Sequence, residues 1–207
     1  AVFSSNIEGN SINLNSFMNY QLSKMKFKPH KELLEIEWEE LIDFTGYFSV
    51  SSTVDNETIT TPLFANLKVK DAIVDRIKEK KGIRPNTGPE ADKAVIHLYW
   101  KENDAEIFID TSGETLAKHG YRKIPGKAPM LEALAAGVIM ATEWDKKTPF
   151  IVPMCGSGTL AIEAALLATD KTPGLFRMNY SFMHIMGYEE EVFFQERRKL
   201  KDQSKKE

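Results

Sequence analysis

Small residues cluster in one short segment, Pro-Met-Cys-Gly-Ser-Gly-Thr, at residues 153–159. Gly156 and Gly158 allow backbone angles that other residues avoid, and they let a ligand approach the chain closely. A helix that begins directly after such a turn presents unpaired N–H groups to polar ligand atoms. The sequence contains neither Gly-x-Gly-x-x-Gly nor Gly-Lys-Ser/Thr, which disfavours a dinucleotide or ATP site. The turn alone therefore indicates either a site for another polar ligand or a structural tight turn.

The elements predicted around this turn are those of an α/β domain. A short apolar run predicts a buried strand from Phe150 to Val152, and apolar spacing predicts a helix from Gly158 to Thr169. An alanine-rich helix is predicted over 129–144, and a charged helix over 189–206. Strand, glycine turn and helix in this order are typical of the start of a doubly wound, Rossmann-like domain.

The residues before the turn predict a separate α+β unit. Alternation predicts a strand over 47–54 and a hairpin with strands over 95–100 and 105–110. An amphipathic helix is predicted over 62–81, and Gly82 ends it. The apolar stripe predicted for this helix consists of Leu63, Leu67, Ala72, Ile73 and Ile77.

Helical spacing of apolar residues, from Phe17 to Met25 and again from Leu33 to Ile42, predicts that the first forty residues are largely helical. The glycine-containing polar stretch 111–127 predicts a join between two units. His119 lies in this join, where we expect an exposed loop side chain or a phosphate contact. His97 lies in an apolar strand and is expected to be structural.

Basic residues are concentrated on the helix predicted over 62–81 and in the join, although the net charge of the chain is −3. Patches of this kind bind phosphates by displacing counterions, and a solvated helix face has the same composition. The candidate RNA-binding residues are Lys68, Lys70, Lys78, Lys81, Arg84 and Arg122.

Composition disfavours several classes of site. Cys155 is the only cysteine, so no intrachain disulfide can form, and we expect no metal site. No apolar run approaches the roughly 20 residues that cross a membrane, so we expect no membrane partner. The first residues lack a basic and apolar leader, which favours a cytoplasmic protein. No histidine is visibly paired with Cys155, which we interpret as a small residue that lines the turn.

Residues 153–165, Pro-Met-Cys-Gly-Ser-Gly-Thr-Leu-Ala-Ile-Glu-Ala-Ala, resemble motif I of the bacterial 23S rRNA guanine-N2 methyltransferase family. Members of this family are often labelled N6-adenine-specific DNA methylases. Three further blocks resemble the same family in the same order. Residues 67–75 resemble the last helix of its THUMP domain, residues 110–122 its interdomain join, and residues 128–136 its first catalytic helix.

The resemblance implies an α/β chain in which an α+β THUMP portion, 37–122, precedes the start of a Rossmann-like methyltransferase domain, 123–207. It implies ribosomal RNA as partner and S-adenosyl-L-methionine (SAM) as cofactor. The residues implied to border SAM are Pro153, Cys155, Gly156, Ser157, Gly158 and Thr159. The family usually has an aspartate before the proline, and Val152 stands there in this chain. This change removes an acid that would orient the ammonium of SAM.

The family's acceptor motif, Asn/Asp-Pro-Pro-Tyr/Phe, occurs nowhere in the 207 residues. In the family this motif holds the flipped base. No catalytic residue is therefore assigned, and we expect an inactive fragment with exposed apolar edges where further strands would pack. RNA binding by the THUMP portion without catalysis is the alternative. The sequence gives no oligomeric state.

Ser4-x-x-x-Glu8-Gly9 resembles the inhibitory helix motif of Fic-type proteins, and the resemblance extends over residues 1–35. It implies a helical N-terminal segment over 1–36 and, as a third alternative, a Fic-related regulatory piece. The Fic catalytic loop is absent from the sequence, so Glu8 would lack its arginine partner. A chimeric or misassembled reading frame would account for both the Fic-like start and the missing acceptor motif.

Overall fold

The computed structural model describes residues 25–26, 33–57, 59, 61–102, 104–124 and 126–204. These residues form two compact units. Unit 1 extends to Gly113 and also includes His184–Met186, whereas unit 2 contains Glu114–Met183 and the residues from Gly187 onward. The Fic-like segment predicted over 1–36 lies almost wholly outside the described residues.

Unit 1 is a mixed five-stranded sheet crossed by one long helix. The strands are β1 (Met25–Lys26), β2 (Tyr47–Asp55), β3 (Asn86–Thr87), β4 (Ala94–Lys101) and β5 (Asp104–Asp110). Their order across the sheet is β1-β5-β4-β2-β3. β2 runs parallel to β3 and β4, whereas β5 is antiparallel to β4 and β1. The predicted strand and hairpin are confirmed, as is the α/β fold class.

Helix α1 (Pro62–Lys81) makes the crossover that connects the parallel strands β2 and β4. Its predicted bounds are confirmed. Pro62 occupies the first turn, where a missing N–H costs nothing. Gly82 ends the helix in a left-handed conformation, with φ of 71°, and its N–H donates to the Lys78 carbonyl at 3.0 Å.

The apolar stripe predicted for α1 is correct only in its second half. Ala72, Ile73 and Ile77 are fully buried, whereas Leu63 is 64% and Leu67 is 44% exposed. The side of the helix that faces the sheet continues through smaller residues instead. Those residues are Ala65 and Val69. They follow the three- and four-residue spacing of a single helix face, which excludes the two leucines.

Helical spacing is misleading at both ends of the described N-terminal part. Met25 pairs with Ala105 of β5, because hydrogen bonding to a sheet edge outweighs a local helical preference. Residues 34–42 contain only a short 3₁₀ helix, Trp38–Glu40. Trp38 and Ile42 are nevertheless fully buried, and the Trp38 indole donates to the Leu33 carbonyl at 2.8 Å. The apolar spacing there reflects packing into the core of unit 1.

An ion pair fastens this irregular segment to α1. The Arg76 guanidinium donates to the Glu39 carboxylate at 2.9 Å and to the Leu34 carbonyl at 3.0 Å. Both side chains are shielded from solvent, since Arg76 is 13% exposed and Glu39 is 8% exposed. The hydrogen bonds from Arg76 lower the pKa of Glu39, although burial opposes the shift.

Unit 2 contains α2 (Glu132–Ala141), α3 (Thr159–Ala168) and α4 (Glu190–Gln203), with a 3₁₀ helix at Pro173–Phe176. A second 3₁₀ helix, Ser181–His184, has its last residue in unit 1. The predicted strand from Phe150 to Val152 is wrong, since these residues are irregular and Ile151 is 81% exposed. The described residues of unit 2 include no strand that could pair with it, and a lone strand cannot satisfy its backbone groups.

Aromatic packing holds the second half of unit 2 together. Tyr180 and Phe193 are buried, and Phe182 lies beside them at ring-centroid distances of 5.3 and 5.8 Å. The Arg197 guanidinium of α4 donates to the carbonyls of Gly174, Leu175 and Arg177. On α2, by contrast, three large apolar side chains are exposed. These are Leu134, Val138 and Met140. None of the helices described here is both long and apolar enough to cross a membrane.

Replacing Glu39 by Gln should destabilise the protein by about 2 kcal/mol at pH 7, because it leaves the shielded Arg76 without its charge partner. The pKa of Glu39 is lower in the folded protein than its usual 4.5, so its stabilisation is complete above that value. It is lost as the pH falls through the folded pKa. Urea unfolding of both proteins between pH 7 and pH 3 measures this difference.

The matched control is Glu40→Gln, since Glu40 is 66% exposed and lies 3.7 Å from Lys81. This change should cost less than about 0.5 kcal/mol. Equal losses for the two variants, or a Glu39→Gln loss that does not shrink in acid, would contradict the role of the Glu39–Arg76 pair.

Candidate cofactor site

The glycine turn leads directly into α3. Gly156 and Gly158 have φ of +55° and +77°, the left-handed region in which a side chain costs about 1–2 kcal/mol. The Gly158 N–H donates to the Cys155 carbonyl at 2.8 Å, and the Ile162 N–H donates to the Gly158 carbonyl at 2.9 Å. These two bonds close the turn and open the helix.

The N-terminus of α3 has no side-chain cap, because Gly158 occupies the capping position. Its first N–H groups are therefore not used by a capping side chain, and the helix dipole makes this end partly positive. Pro153, Cys155, Gly156 and Ser157 are exposed. Beyond its chain neighbours, no heavy atom of the described residues lies within 4 Å of a Cβ built on either glycine. This open space and these donors fit the methionyl carboxylate of SAM.

Cys155 lines the open side of this turn. Its thiol is exposed and lies 3.8 Å from the Gly156 carbonyl oxygen. Val152, where the family usually has an acid, is half-buried. The site therefore has donors for a carboxylate but lacks the expected acceptor for an ammonium group at this position.

Thr159 begins α3 and is 3% exposed. Its hydroxyl accepts a hydrogen bond from Arg122 Nη2 at 2.8 Å and lies 3.2 Å from the Ser157 hydroxyl. Arg122 Nη2 also donates to the Met130 carbonyl at 3.1 Å, and Arg122 Nε lies 3.5 Å from the Glu132 carboxylate. Arg122, predicted as an RNA-binding residue, is thus only 17% exposed and directed toward the glycine turn.

The His119 side chain is only 11% exposed, so the expectation of an exposed loop side chain is wrong. Its Nδ1 lies 2.8 Å from the carboxylate of Glu163, which is itself 1% exposed. The His119 N–H donates to the Glu132 carboxylate. Nearby, burial and the Glu163 carboxylate raise the pKa of Tyr121. A buried carboxylate on α3 needs hydrogen-bond partners, and the join supplies them.

Sequence reasoning missed the two acids of this network. Glu132 and Glu163 are buried, although each lies in a helix rich in alanine and leucine. A lone acid in an otherwise apolar helix is the signal that could have identified them, because charged residues are rarely buried without a partner.

The remaining basic candidates lie in unit 1, on α1 or just after it. Lys68, Lys78, Lys81 and Arg84 are exposed, and Lys70 is half-buried. Lys70, Lys78 and Lys81 fall within roughly a quarter of the helix circumference. Some of these charges have local partners. Lys70 lies 3.2 Å from Asp71, Lys81 lies 3.7 Å from Glu40, and Lys68 lies 5.5 Å from the Phe64 ring centroid.

Two protein families match the chain in succession. The THUMP domain family matches residues 30–110, and the RMKL-like methyltransferase domain family matches residues 119–207. Ribosomal RNA large subunit methyltransferase K/L of Buchnera aphidicola is 39% identical over 85% of this chain and 25% of its own length. The protein of the same name from Magnetococcus marinus is 42% identical over 76% of this chain and 22% of its own.

Solved structures share the fold of both matched regions. A predicted N6-adenine-specific DNA methylase from Listeria monocytogenes is 30% identical, with a TM-score of 0.71 over 89% of this chain and 49% of that one. SMU.472, solved in complex with SAH, is 26% identical, and its TM-score is 0.69. The match covers 89% of this chain and 50% of SMU.472.

This chain spans about a quarter of the length of those curated relatives and about half of the length of those solved structures. The two matched regions occur in the order predicted from the four sequence blocks, and together they cover most of the chain. Residues 30–110 therefore belong to the THUMP domain family, and residues 119–207 belong to the RMKL-like methyltransferase domain family.

Proposed function

We propose that this chain carries the RNA-binding and cofactor-binding parts of a SAM-dependent methyltransferase that modifies guanine N2 in ribosomal RNA of the large subunit. The observation that carries the proposal is the uncapped start of α3 behind two glycines with positive φ. The names of the curated relatives support the RNA substrate. The guanine target is what the resemblance of four sequence blocks to the guanine-N2 methyltransferase family implies.

Residues 123–207 are assigned to the cofactor, and the basic surface of α1, within the THUMP portion 37–122, is assigned to RNA. Pro153, Cys155, Gly156, Ser157, Gly158 and Thr159 would hold SAM, whose sulfonium supplies an electrophilic methyl group. The N–H groups at the start of α3 bind its carboxylate, since a helix N-terminus favours an anion. The exposed side of the turn leaves room for the rest of the ligand.

The acceptor side of the reaction requires a pocket for a flipped base. The Asn/Asp-Pro-Pro-Tyr/Phe tetrapeptide that serves this purpose in the family is not among the 207 residues. We therefore expect these residues alone to bind the cofactor without transferring its methyl group. If the chain were only an RNA-binding module, cofactor binding would also be absent.

Replacing Val152 by Asp should tighten binding of SAH about tenfold, because a carboxylate beside the turn can accept a charge-assisted hydrogen bond from the ligand's ammonium. Titration calorimetry on the chain with SAH measures the change. Val152→Asn is the matched control, since it has a similar shape and no charge, and it should bind as the natural sequence does. If none of the three proteins bound SAH, the cofactor assignment would be wrong and the RNA-binding alternative would be favoured.

Replacing Lys78 and Arg84 by Ala should weaken binding of bacterial ribosomal RNA and reduce the salt slope by about two phosphate contacts. Both side chains are exposed, and neither forms an ion pair with a residue that the structure describes. Filter binding at several salt concentrations measures this slope. Lys199→Ala on α4 is the control, because this exposed lysine lies in unit 2 and pairs with Glu196 at 2.6 Å. An unchanged slope in the double variant, or an equal loss for Lys199→Ala, would contradict an RNA-binding face on α1.

A further inference from the structure

We infer that Arg122 is a positioning residue for the cofactor turn, rather than an RNA contact. It acts through Thr159, the first residue of α3. Arg122 Nη2 is 2.8 Å from the Thr159 hydroxyl and 3.1 Å from the Met130 carbonyl. The same guanidinium therefore connects the start of the helix to the segment that precedes α2. This inference rests on the proposed function, since it concerns the turn that would hold SAM.

Burial separates Arg122 from the other basic candidates. Its side chain is 17% exposed, and its Nε lies 3.5 Å from the Glu132 carboxylate, which is 6% exposed. A guanidinium engaged with a hydroxyl, a carbonyl and a buried carboxylate has little surface to offer a phosphate. Lys123, the next residue, is exposed. The two neighbouring cations thus have different environments.

The glycine turn needs such an anchor because its own sequence gives it little stiffness. Gly156 and Gly158 reach more backbone conformations than other residues do. Gly158 also lacks a side chain that could cap the helix. The buried Thr159 hydroxyl, which lies 3.2 Å from the Ser157 hydroxyl, is the point at which a neighbouring segment holds this turn. Fixing the turn beforehand reduces the entropy lost when a ligand binds.

Charge alone does not explain why an arginine stands here. A cation near a helix N-terminus is opposed by the helix dipole. Glu132 balances that charge, and the planar guanidinium can contact several acceptors at once, which an ammonium on a flexible stem cannot reproduce. We therefore expect Lys to be a poor substitute at position 122.

Four single variants and one double variant test this inference. Arg122→Met and Arg122→Lys remove the planar guanidinium, and Thr159→Val removes the hydroxyl that it contacts. Lys123→Met is the matched control. SAH affinity by calorimetry should fall about tenfold for each Arg122 variant and for Thr159→Val, the effect of one lost hydrogen bond to a charged group. The double variant Arg122→Met/Thr159→Val should bind no more weakly than the worse single variant, because both changes break one connection. Lys123→Met should bind SAH as the natural sequence does.

Amide hydrogen exchange without ligand gives a second readout. The Ile162 N–H, which bonds the Gly158 carbonyl, should exchange faster in both Arg122 variants and in Thr159→Val, but not in Lys123→Met. RNA affinity should be unchanged in Arg122→Met. Undiminished SAH affinity, additive losses in the double variant, unchanged exchange at Ile162, or a loss of RNA affinity would each overturn the inference.

The two readouts separate this inference from the proposed function. If the natural sequence did not bind SAH, the cofactor assignment would fail, while exchange at Ile162 would still decide whether Arg122 fixes the turn. If Arg122→Met did not fold, Thr159→Val and Arg122→Lys would carry both measurements.

Discussion

A carboxylate that is almost fully buried on the helix behind the glycine turn determines much of the organisation of unit 2. Glu163 is 1% exposed, and an acid in such a place is unfavourable by several kcal/mol unless hydrogen bonds and charges compensate it. Its partner is His119, at 2.8 Å. This pairing brings the join against α3 and places Arg122 beside Thr159. The shape of the glycine turn is thus supported from behind by polar contacts, while its open side remains free for a ligand.

Unit 1 depends on a similar arrangement. The Glu39–Arg76 pair fixes an irregular segment, rich in buried apolar residues, to the helix that crosses the sheet. Because α1 buries one side against β2 and β4, its lysines are left on the outer side. The same packing that stabilises the unit therefore produces the basic surface to which we assign RNA binding.

Elements whose signals are local could be predicted from the sequence. Pro62 and Gly82 mark the ends of α1, and alternation marks β4 and β5, so these bounds were correct. Elements that form only with a partner distant in the sequence could not be predicted in this way. Met25 joins a sheet edge 80 residues away along the chain, at Ala105, and Phe150 to Val152 have no strand to pair with in the described part of unit 2.

The candidate site divides in the same way. The glycine turn was evident from residue types, since positive φ and a helix start require small residues in this order. The hydrogen-bond network behind the turn was not evident, because His119 and Glu163 are separated by 44 residues along the chain. A histidine in a polar stretch also usually indicates an exposed loop. For the same reason, the sequence predicts that Arg122 is part of a basic surface. Only the folded chain shows that its guanidinium is directed at Thr159.

The most direct measurement of the central claim is a nuclear magnetic resonance titration of the ¹⁵N-labelled chain with SAH. If the start of α3 is the cofactor site, SAH should cause saturable changes in the chemical shifts of four backbone amides, those of Gly156, Ser157, Gly158 and Thr159. The chemical shifts of the α1 amides should remain unchanged. Shifts that were absent from these four amides, or concentrated on α1, would contradict a cofactor site at the glycine turn.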